Sequence, residues 1–325
     1  MALITPLTPD DVAKLAADFG IELAELEPLH AGSVNSNFRV LDTRGRRYFA
    51  RLYEEQGVLG ARGEVRLLSS LAAAGVPAVA PVPRGDGSFV AEHRGKAFAM
   101  FPWVEGEHLC QKQVTPAACR KLGDALARVH LASPPPGTLP QGRFRVTDLV
   151  ARLDRVERDP EALRYAADVA QIRERLAHYT KLRDPELPRG LVHGDLFRDN
   201  VLWNQVLDGE IVALLDFESA SEECLAYDVM VCVMAWCYGS EFELDLVAAL
   251  LGGYHARRPL SERECAGLSI EGAIGALRFA TTRITDFSLR AAPGQAWVRD
   301  YRRFLERLKA LEAGTLEPAI RGLLQ

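Results

Sequence analysis

The 325-residue chain has no excess of basic residues, no long apolar run and no cysteine arrangement typical of a metal site. Its 39 lysines and arginines against 44 acids give a net charge of −5, which argues against broad attraction to nucleic acid. The apolar run at residues 229–239 is too short to cross a bilayer, and the N-terminus lacks the basic start of a signal peptide. The six cysteines form no Cys-x-x-Cys pair. We therefore expect a soluble cytoplasmic protein with reduced core thiols and with neither a membrane nor a nucleic acid as partner.

What the sequence does contain is the composition of an ordinary globular protein. Hydrophobic residues make up 48% of the chain, charged residues 26% and aromatic residues 8%. This is enough apolar material to bury a sizeable core, and it excludes a disordered or fibrous protein. At about 150 residues per domain, the length predicts two domains or two unequal lobes.

Local patterns divide the chain near residue 103 into a mixed part and a mostly helical part. Several helix starts carry a capping residue, as at Thr8 before Pro9, Thr115 before Pro116, and Ser261 three residues before Glu264. The alternating and helical segments predict strands over 37–41, 47–53, 88–92, 96–101, 201–203 and 211–215, and helices over 61–74 and 270–287. We expect an α+β protein with lobes at 1–103 and 104–325.

The most informative stretch is a non-helical island at residues 191–216. It reads Leu-Val-His-Gly-Asp-Leu-Phe-Arg-Asp-Asn, with His193, Asp195 and Asn200, and a later strand ends at Asp216. The oxygen atoms of these two carboxylates and one amide suit Mg²⁺, which binds few protein oxygens and completes its shell with water and phosphate oxygens. A further carboxylate is needed in phosphoryl transfer to accept the proton of the attacking hydroxyl. The spacing matches the catalytic and metal loops of the kinase signature.

On these residues the chain resembles the aminoglycoside phosphotransferase-like small-molecule kinases over nearly its whole length. The resemblance implies a bilobal protein-kinase-like fold, with a small N-lobe of sheet and helix that binds nucleotide and a larger, mainly helical C-lobe that binds the acceptor. It also implies ATP and Mg²⁺ as cofactors. Asp195 would be the catalytic base, Asn200 and Asp216 the metal ligands, and His193 a residue that orients the loop.

The resemblance implies further nucleotide-binding residues in the N-lobe, where the sequence departs from the usual pattern. Gly32 and Ser33 lie where such kinases place a phosphate-covering loop, without a Gly-x-Gly-x-x-Gly motif. Arg51 takes the position of the phosphate-binding lysine, and Glu64 in the next helix is placed to pair with it. After Pro102, which has no amide hydrogen, the backbone of Val104 is the expected adenine contact.

Within the family, several stretches are most similar to the branch that phosphorylates L-homoserine. They include residues 187–202, 227–237 and 276–286. Because homoserine is a zwitterion, its site needs a cation for the carboxylate and an acid for the ammonium group. The candidate cations are Arg198, Arg278 and Arg283, and the candidate acids are Glu218, Glu222 and Asp286. We expect Asp228 to brace the catalytic loop from a helix N-terminus.

Other functions stay open from the sequence alone. A kinase of another hydroxylated amine, such as an aminoglycoside or choline, is the main alternative, although no dense acidic run of the kind that favours a polycation is present. Arg51 and the irregular phosphate loop leave room for a non-catalytic nucleotide-binding module. The expected partner is a small-molecule hydroxyl acceptor, and the sequence does not define the oligomeric state.

Overall fold

The secondary structure runs from a mixed N-terminal part to a long series of helices. The computed structural model describes residues 5–30, 34–135, 137–139, 142–289 and 299–323. The strands within these residues are β1 (Leu23–Leu29), β2 (Ser36–Asp42), β3 (Arg47–Leu52), β4 (Ala91–His93), β5 (Lys96–Pro102), β6 (Arg189–Val192), β7 (Val201–Trp203), β8 (Ile211–Leu214) and β9 (Ser221–Cys224). The helices are α1 (Pro9–Ala17), α2 (Val58–Ala73), α3 (Pro116–Leu131), α4 (Val146–Glu157), α5 (Ala166–Leu182), α6 (Leu225–Trp236), α7 (Leu244–Arg257), α8 (Glu262–Arg283), α9 (Arg302–Glu312) and α10 (Glu317–Arg321). A π-helical turn, Ile284–Ser288, extends α8.

The predicted helix starts are confirmed. The Thr8 side chain accepts a hydrogen bond from the Asp11 amide, and Asp11 returns the contact in a capping box. Ser261 and Glu264 form the same arrangement at the start of α8. Thr115 caps α3, whose first residue is a proline. Each start satisfies amide groups that would otherwise lack a partner.

Five antiparallel strands form the main sheet, in the order β1-β2-β3-β5-β4. The β2–β3 hairpin and β5 agree with the sequence prediction. The strand predicted over 88–92 is corrected to Ala91–His93, because the amide and hydroxyl of Ser88 donate to Asp86 Oδ1 in a turn. β1 was not predicted. Helix α1 covers one face of the sheet, where Phe19 packs edge-to-face on Phe98 with ring centroids 6.1 Å apart.

The chain divides into two compact units, which are named here the first unit and the second unit. The first unit comprises Met1–Glu107, Leu202–Asn204 and Val212–Glu218. The second unit comprises His108–Val201, Gln205–Ile211 and Ser219–Gln325. The strands predicted over 201–203 and 211–215 are confirmed as β7 and β8, which pair in a two-stranded sheet.

The second unit is organised around α6, all of whose residues are buried. Helices α3 and α7 approach each other so closely that a Cβ atom on Gly123 would lie 2.1 Å from the Leu250 carbonyl oxygen. The short strands β6 and β9 pair antiparallel beside α6; neither was predicted. No helix of the described ranges is both long and apolar enough to cross a membrane.

The cysteines are thiols, as predicted, and five of the six are buried. Cys110 is exposed, which corrects the expectation that all six lie in the core. It stands just before a short 3₁₀ turn, Gln111–Gln113, whereas the buried cysteines lie in α3, α6 and α8 or at the two ends of α6.

Candidate active site

One buried carboxylate holds the loop that follows β6. Asp228, in the first turn of α6, accepts hydrogen bonds from the amides of His193 at 2.7 Å and Gly194 at 2.8 Å. His130 Nε2 lies 3.1 Å from the same carboxylate. Burial alone would raise the pKa of Asp228, but the hydrogen bond and charge of His130, together with His193, outweigh burial and lower it. The predicted bracing role of Asp228 is confirmed.

Gly194 gives the loop its sharp turn. Its φ of +75° is in the left-handed region, and a Cβ atom there would lie 3.1 Å from the Ser219 carbonyl oxygen. His193 is fully buried, and its Nδ1 lies 3.4 Å from the Asp195 amide. The predicted orienting residue thus sits beneath the loop, where it contacts the main chain of the residue it is expected to orient.

The other end of the loop is fixed to the C-terminus of α6. Trp236 Nε1 donates to the Leu196 carbonyl at 2.9 Å. Arg198 donates to Gln111 Oε1 at 2.7 Å and to the Ala235 carbonyl, one of the last carbonyls of α6 that have no helical partner. The structure therefore gives Arg198, a predicted acceptor residue, the contacts of a helix cap.

Asp195 is presented at the surface of this rigid loop. Its side chain is 33% exposed, and Arg278 Nη1 lies 3.4 Å from its Oδ1. Asn200 Nδ2 donates to the Asp195 main-chain carbonyl at 2.8 Å. That bond engages the amide nitrogen of Asn200, and within the described ranges no donor bonds to its Oδ1.

Arg278 comes from the middle of α8 and is almost completely buried, with 4% of the residue exposed. Its guanidinium carbon lies 4.1 Å from the ring centroid of Phe144 and 3.8 Å from that of Phe279. Tyr227 also belongs to this region, and its burial, opposed by the charge of Arg278, raises its pKa to about 12. Within the second unit, the Asp195 carboxylate therefore lies next to a buried cation, and that cation lies against two aromatic rings.

The remaining predicted acceptor residues of the second unit are engaged elsewhere. Arg283 donates to the Asp300 carbonyl at 2.9 Å, and its pKa falls to about 10 because of burial and of the charges of Arg299 and Arg303. Asp286 accepts from Arg152 at 2.6 Å. Glu222 accepts from the Gly137 amide at 3.1 Å.

In the first unit, Arg51 is surrounded by acids. Its Nη1 lies 3.2 Å from Glu218, 3.6 Å from Glu64 and 3.9 Å from Asp216. The predicted pairing of Arg51 with Glu64 is therefore present. Burial raises the pKa of Glu64 to about 7, against the attraction of Arg51. Burial disfavours the charge of Arg51 as well, but the carboxylates outweigh it and raise the Arg51 pKa.

Asp216 and Glu218 differ in what they present. Asp216 has a φ of +61°, which is unusual for a residue other than glycine, and its side chain is 41% exposed. Glu218 is only 12% exposed, is ion-paired to Arg51, and also accepts from Asn35 Nδ2. Glu218, predicted to contact the acceptor, is thus bound into the Arg51 cluster of the first unit.

The other predicted nucleotide residues are less defined. Gly32 and Ser33 lie outside the described residues. Val104 follows β5 and is partly exposed, next to Trp103, whose amide donates to the Arg47 carbonyl at 3.1 Å.

Comparison with known proteins identifies the family of this chain. Residues 25–260 match the phosphotransferase enzyme family, and the chain belongs to that family. Two relatives named homoserine kinase are similar over most of the chain: that of Agrobacterium fabrum is 32% identical with 95% of each chain covered, and that of a Caulobacter species is 31% identical with 92% of each covered.

Among solved structures, spectinomycin phosphotransferase in complex with ADP and spectinomycin has a TM-score of 0.71 at 13% identity, covering 96% of this chain and 100% of that chain. This likeness concerns the fold, and the predicted protein-kinase-like α+β fold is confirmed.

Phe144 is the residue around Arg278 and Asp195 that the sequence analysis did not predict. It stands in a Gly-Arg-Phe-Arg stretch before α4, and no local pattern distinguishes it from an ordinary loop aromatic.

Proposed function

We propose that this phosphotransferase transfers the γ-phosphoryl group of ATP to the hydroxyl group of L-homoserine. The observation that carries the proposal is Asp195: a partly exposed carboxylate on a loop fixed at both ends, 3.4 Å from a buried cation. The similarity to homoserine kinases over 95% of the chain supports the choice of acceptor.

Asp195 is suited to act as the general base. Its loop is immobilised by Asp228 on one side and by Trp236 on the other, so its carboxylate has a defined position. The acceptor hydroxyl gives its proton to Asp195 as its oxygen forms a bond to the γ-phosphorus. The bond between that phosphorus and the β–γ bridging oxygen breaks, and ADP leaves with the electron pair.

The sequence motif assigns the magnesium ligands to Asn200 and Asp216, and each residue fits that role within its own unit. Asn200 has its amide nitrogen engaged by the Asp195 carbonyl, which orients its oxygen as a ligand. Asp216 carries an exposed carboxylate on a backbone turned into the left-handed region. Bound Mg²⁺ supplies charge neutralisation on the phosphates.

For the nucleotide, the proposal assigns Gly32, Ser33, Val104, Arg51 and Glu64 to its site. The cation of Arg51 lies within reach of three carboxylates, one of them Asp216. We therefore assign Arg51 the task of holding Asp216 in position, with Glu64 as the buried partner of Arg51.

The experiment is ADP release by the protein with ATP and Mg²⁺ across an acceptor panel of L-homoserine, L-serine, L-threonine, choline, an aminoglycoside and buffer alone. We expect turnover with L-homoserine well above the others. The Asp195→Asn variant keeps the size and polarity of the side chain but cannot take the proton, so we expect turnover to fall by about 1,000-fold.

Nucleotide binding by the same variant provides the control. Asp195→Asn should bind ATP with the parent affinity, measured by calorimetry, because only the base has changed. Equal turnover by parent and variant would contradict the assignment of Asp195. Turnover confined to choline or to the aminoglycoside would replace the acceptor, and ATP binding without turnover on any acceptor would indicate a nucleotide-binding module.

A further inference from the structure

Arg278 is a buried cation whose hydrogen-bonding capacity is largely unused by the described residues. Only 4% of the residue is exposed, so water does not solvate its charge. Its Nε finds no hydrogen-bond partner among the described residues. The one hydrogen bond that its guanidinium makes within those ranges joins Nη1 to Asp195 Oδ1 at 3.4 Å, which is long for a charged pair. A guanidinium carries five N–H donors, and burying a charge without partners is costly.

The surroundings of Arg278 hold the guanidinium in place without neutralising it. The ring centroids of Phe144 and Phe279 lie 4.1 Å and 3.8 Å from its central carbon. Aromatic faces stabilise a cation by cation–π attraction, but they accept none of its in-plane N–H bonds. The side chain is therefore preorganised, with donors available for a planar anionic group.

The other two candidate arginines differ from Arg278 in this respect. Arg198 is bound to Gln111 and to a carbonyl at the end of α6, and Arg283 is bound to the Asp300 carbonyl. Asp195 does not serve as a full counter-ion, because its carboxylate is partly exposed and its long contact satisfies one donor only. Of the three, Arg278 alone combines near-complete burial, unused donors and proximity to the base.

We propose that Arg278 binds the carboxylate of the acceptor and so makes the enzyme specific for hydroxy acids over hydroxylated amines. This inference rests on the proposed function and adds the group that selects the substrate. Because Arg278 Nη1 and Asp195 Oδ1 are 3.4 Å apart, the acceptor must present its carboxylate and its hydroxyl a few bonds from each other. A γ-hydroxy amino acid satisfies that requirement.

The test compares two acceptors that differ only in the carboxylate: L-homoserine and 3-aminopropan-1-ol. The wild-type protein should prefer L-homoserine by about 100-fold in kcat/KM, because a desolvated charge pair is lost with the amine. Arg278→Met should lower kcat/KM for L-homoserine by about 100-fold and leave the slow turnover of 3-aminopropan-1-ol within about threefold. Arg278→Lys should restore part of the activity towards L-homoserine only. The matched control is Arg173→Met, which alters an arginine paired with Asp154 and Glu157 on α4. It should leave kcat/KM for both acceptors unchanged.

The outcomes separate the inference from the proposed function. Absence of turnover with L-homoserine in the wild-type protein would overturn the proposed function itself. If the wild-type protein uses both acceptors equally well, the specificity inference fails whatever the variants do. If Arg278→Met loses the same factor with both acceptors and shifts the pH–rate profile, Arg278 serves to position Asp195, and the inference is likewise overturned.

Discussion

Two arginines with little exposed side chain, one in each unit, are accommodated in opposite ways. Arg51 in the first unit lies within 4 Å of three carboxylates, those of Glu64, Asp216 and Glu218. Among the described residues, Arg278 in the second unit has one long contact to a carboxylate and lies close to two aromatic rings. The first cation is over-compensated by acids of its own unit, whereas the second is under-compensated.

The difference indicates a division of labour. A buried ion pair with good geometry organises its members, and removing one member leaves uncompensated charge. Arg51 is therefore expected to act on structure, by holding together acids that include the proposed metal ligand Asp216. A buried cation that uses only one of its donors among the described residues can instead bind an anion from outside the protein, which is the role inferred for Arg278.

The largest expected effect is on the free energy of unfolding, when each of the two cations is removed in turn. Arg51→Met leaves the Glu64, Asp216 and Glu218 carboxylates without their cation, and we expect unfolding to become easier by about 4 kcal/mol at pH 8. Arg278→Met should cost less than about 1 kcal/mol, because Asp195 is exposed enough to be solvated by water and Met packs well between aromatic rings. Urea midpoints at a common m-value measure both changes.

Arg51→Lys is the control for this prediction. It retains the charge and should recover most of the lost stability, although without the forked geometry of arginine. The contrast between the two arginines would be contradicted if Arg51→Met had the same urea midpoint as the parent protein. It would also be contradicted if Arg278→Met were the less stable of the two Met variants.

A smaller effect is expected from pH in the Arg51 cluster. Burial raises the pKa of Glu64 to about 7 in the folded protein, from 4.5 as its ordinary value. Between these values the unfolded chain releases a proton that the folded protein retains, so stability falls as pH rises from about 4.5 to about 7 and is constant with respect to this group outside that window. The shift corresponds to about 3 kcal/mol. Urea midpoints at intervals from pH 4.5 to pH 8 should show this decline.

Glu64→Gln should flatten that part of the profile, because the amide does not titrate. Glu105→Gln, which changes a glutamate that is 67% exposed, should keep the parent slope. An unchanged slope in Glu64→Gln would mean that another group is responsible for the decline.

The smallest expected effect concerns the rings that hold Arg278. Phe144→Leu removes one aromatic face from the guanidinium and should raise the KM for L-homoserine by about fivefold, about 1 kcal/mol, with kcat nearly unchanged. The matched variant is Phe49→Leu, since Phe49 lies 5.5 Å from the Arg51 guanidinium and should leave that KM unchanged. Steady-state kinetics with varied L-homoserine measures both, and a fall in kcat at constant KM in Phe144→Leu would count against a binding role.

Much of the fold could be predicted from local chemistry. Caps such as Thr8 and Ser261 define helix starts through contacts three residues away, so the sequence contains both partners of each bond. β1 could not be predicted in the same way. Its seven residues include two glutamates and a proline, and they do not alternate in burial because the strand lies at the sheet edge.

The candidate site shows the same limit. The loop carrying Asp195 and Asn200 could be predicted, because its spacing follows the kinase signature, and the brace Asp228 could be predicted from its place near a helix N-terminus. The contacts of Arg198 could not, since Ala235 is 37 positions away and the bond depends on where α6 ends. Phe144 and Arg278 are similarly brought together by tertiary packing.

The most direct test of the account is ³¹P NMR of the product formed by the wild-type protein from ATP, Mg²⁺ and L-homoserine. We expect a new phosphomonoester resonance coupled to the methylene protons next to the former hydroxyl, formed in proportion to ADP. Inorganic phosphate alone, or an ester formed only when another acceptor replaces L-homoserine, would contradict it.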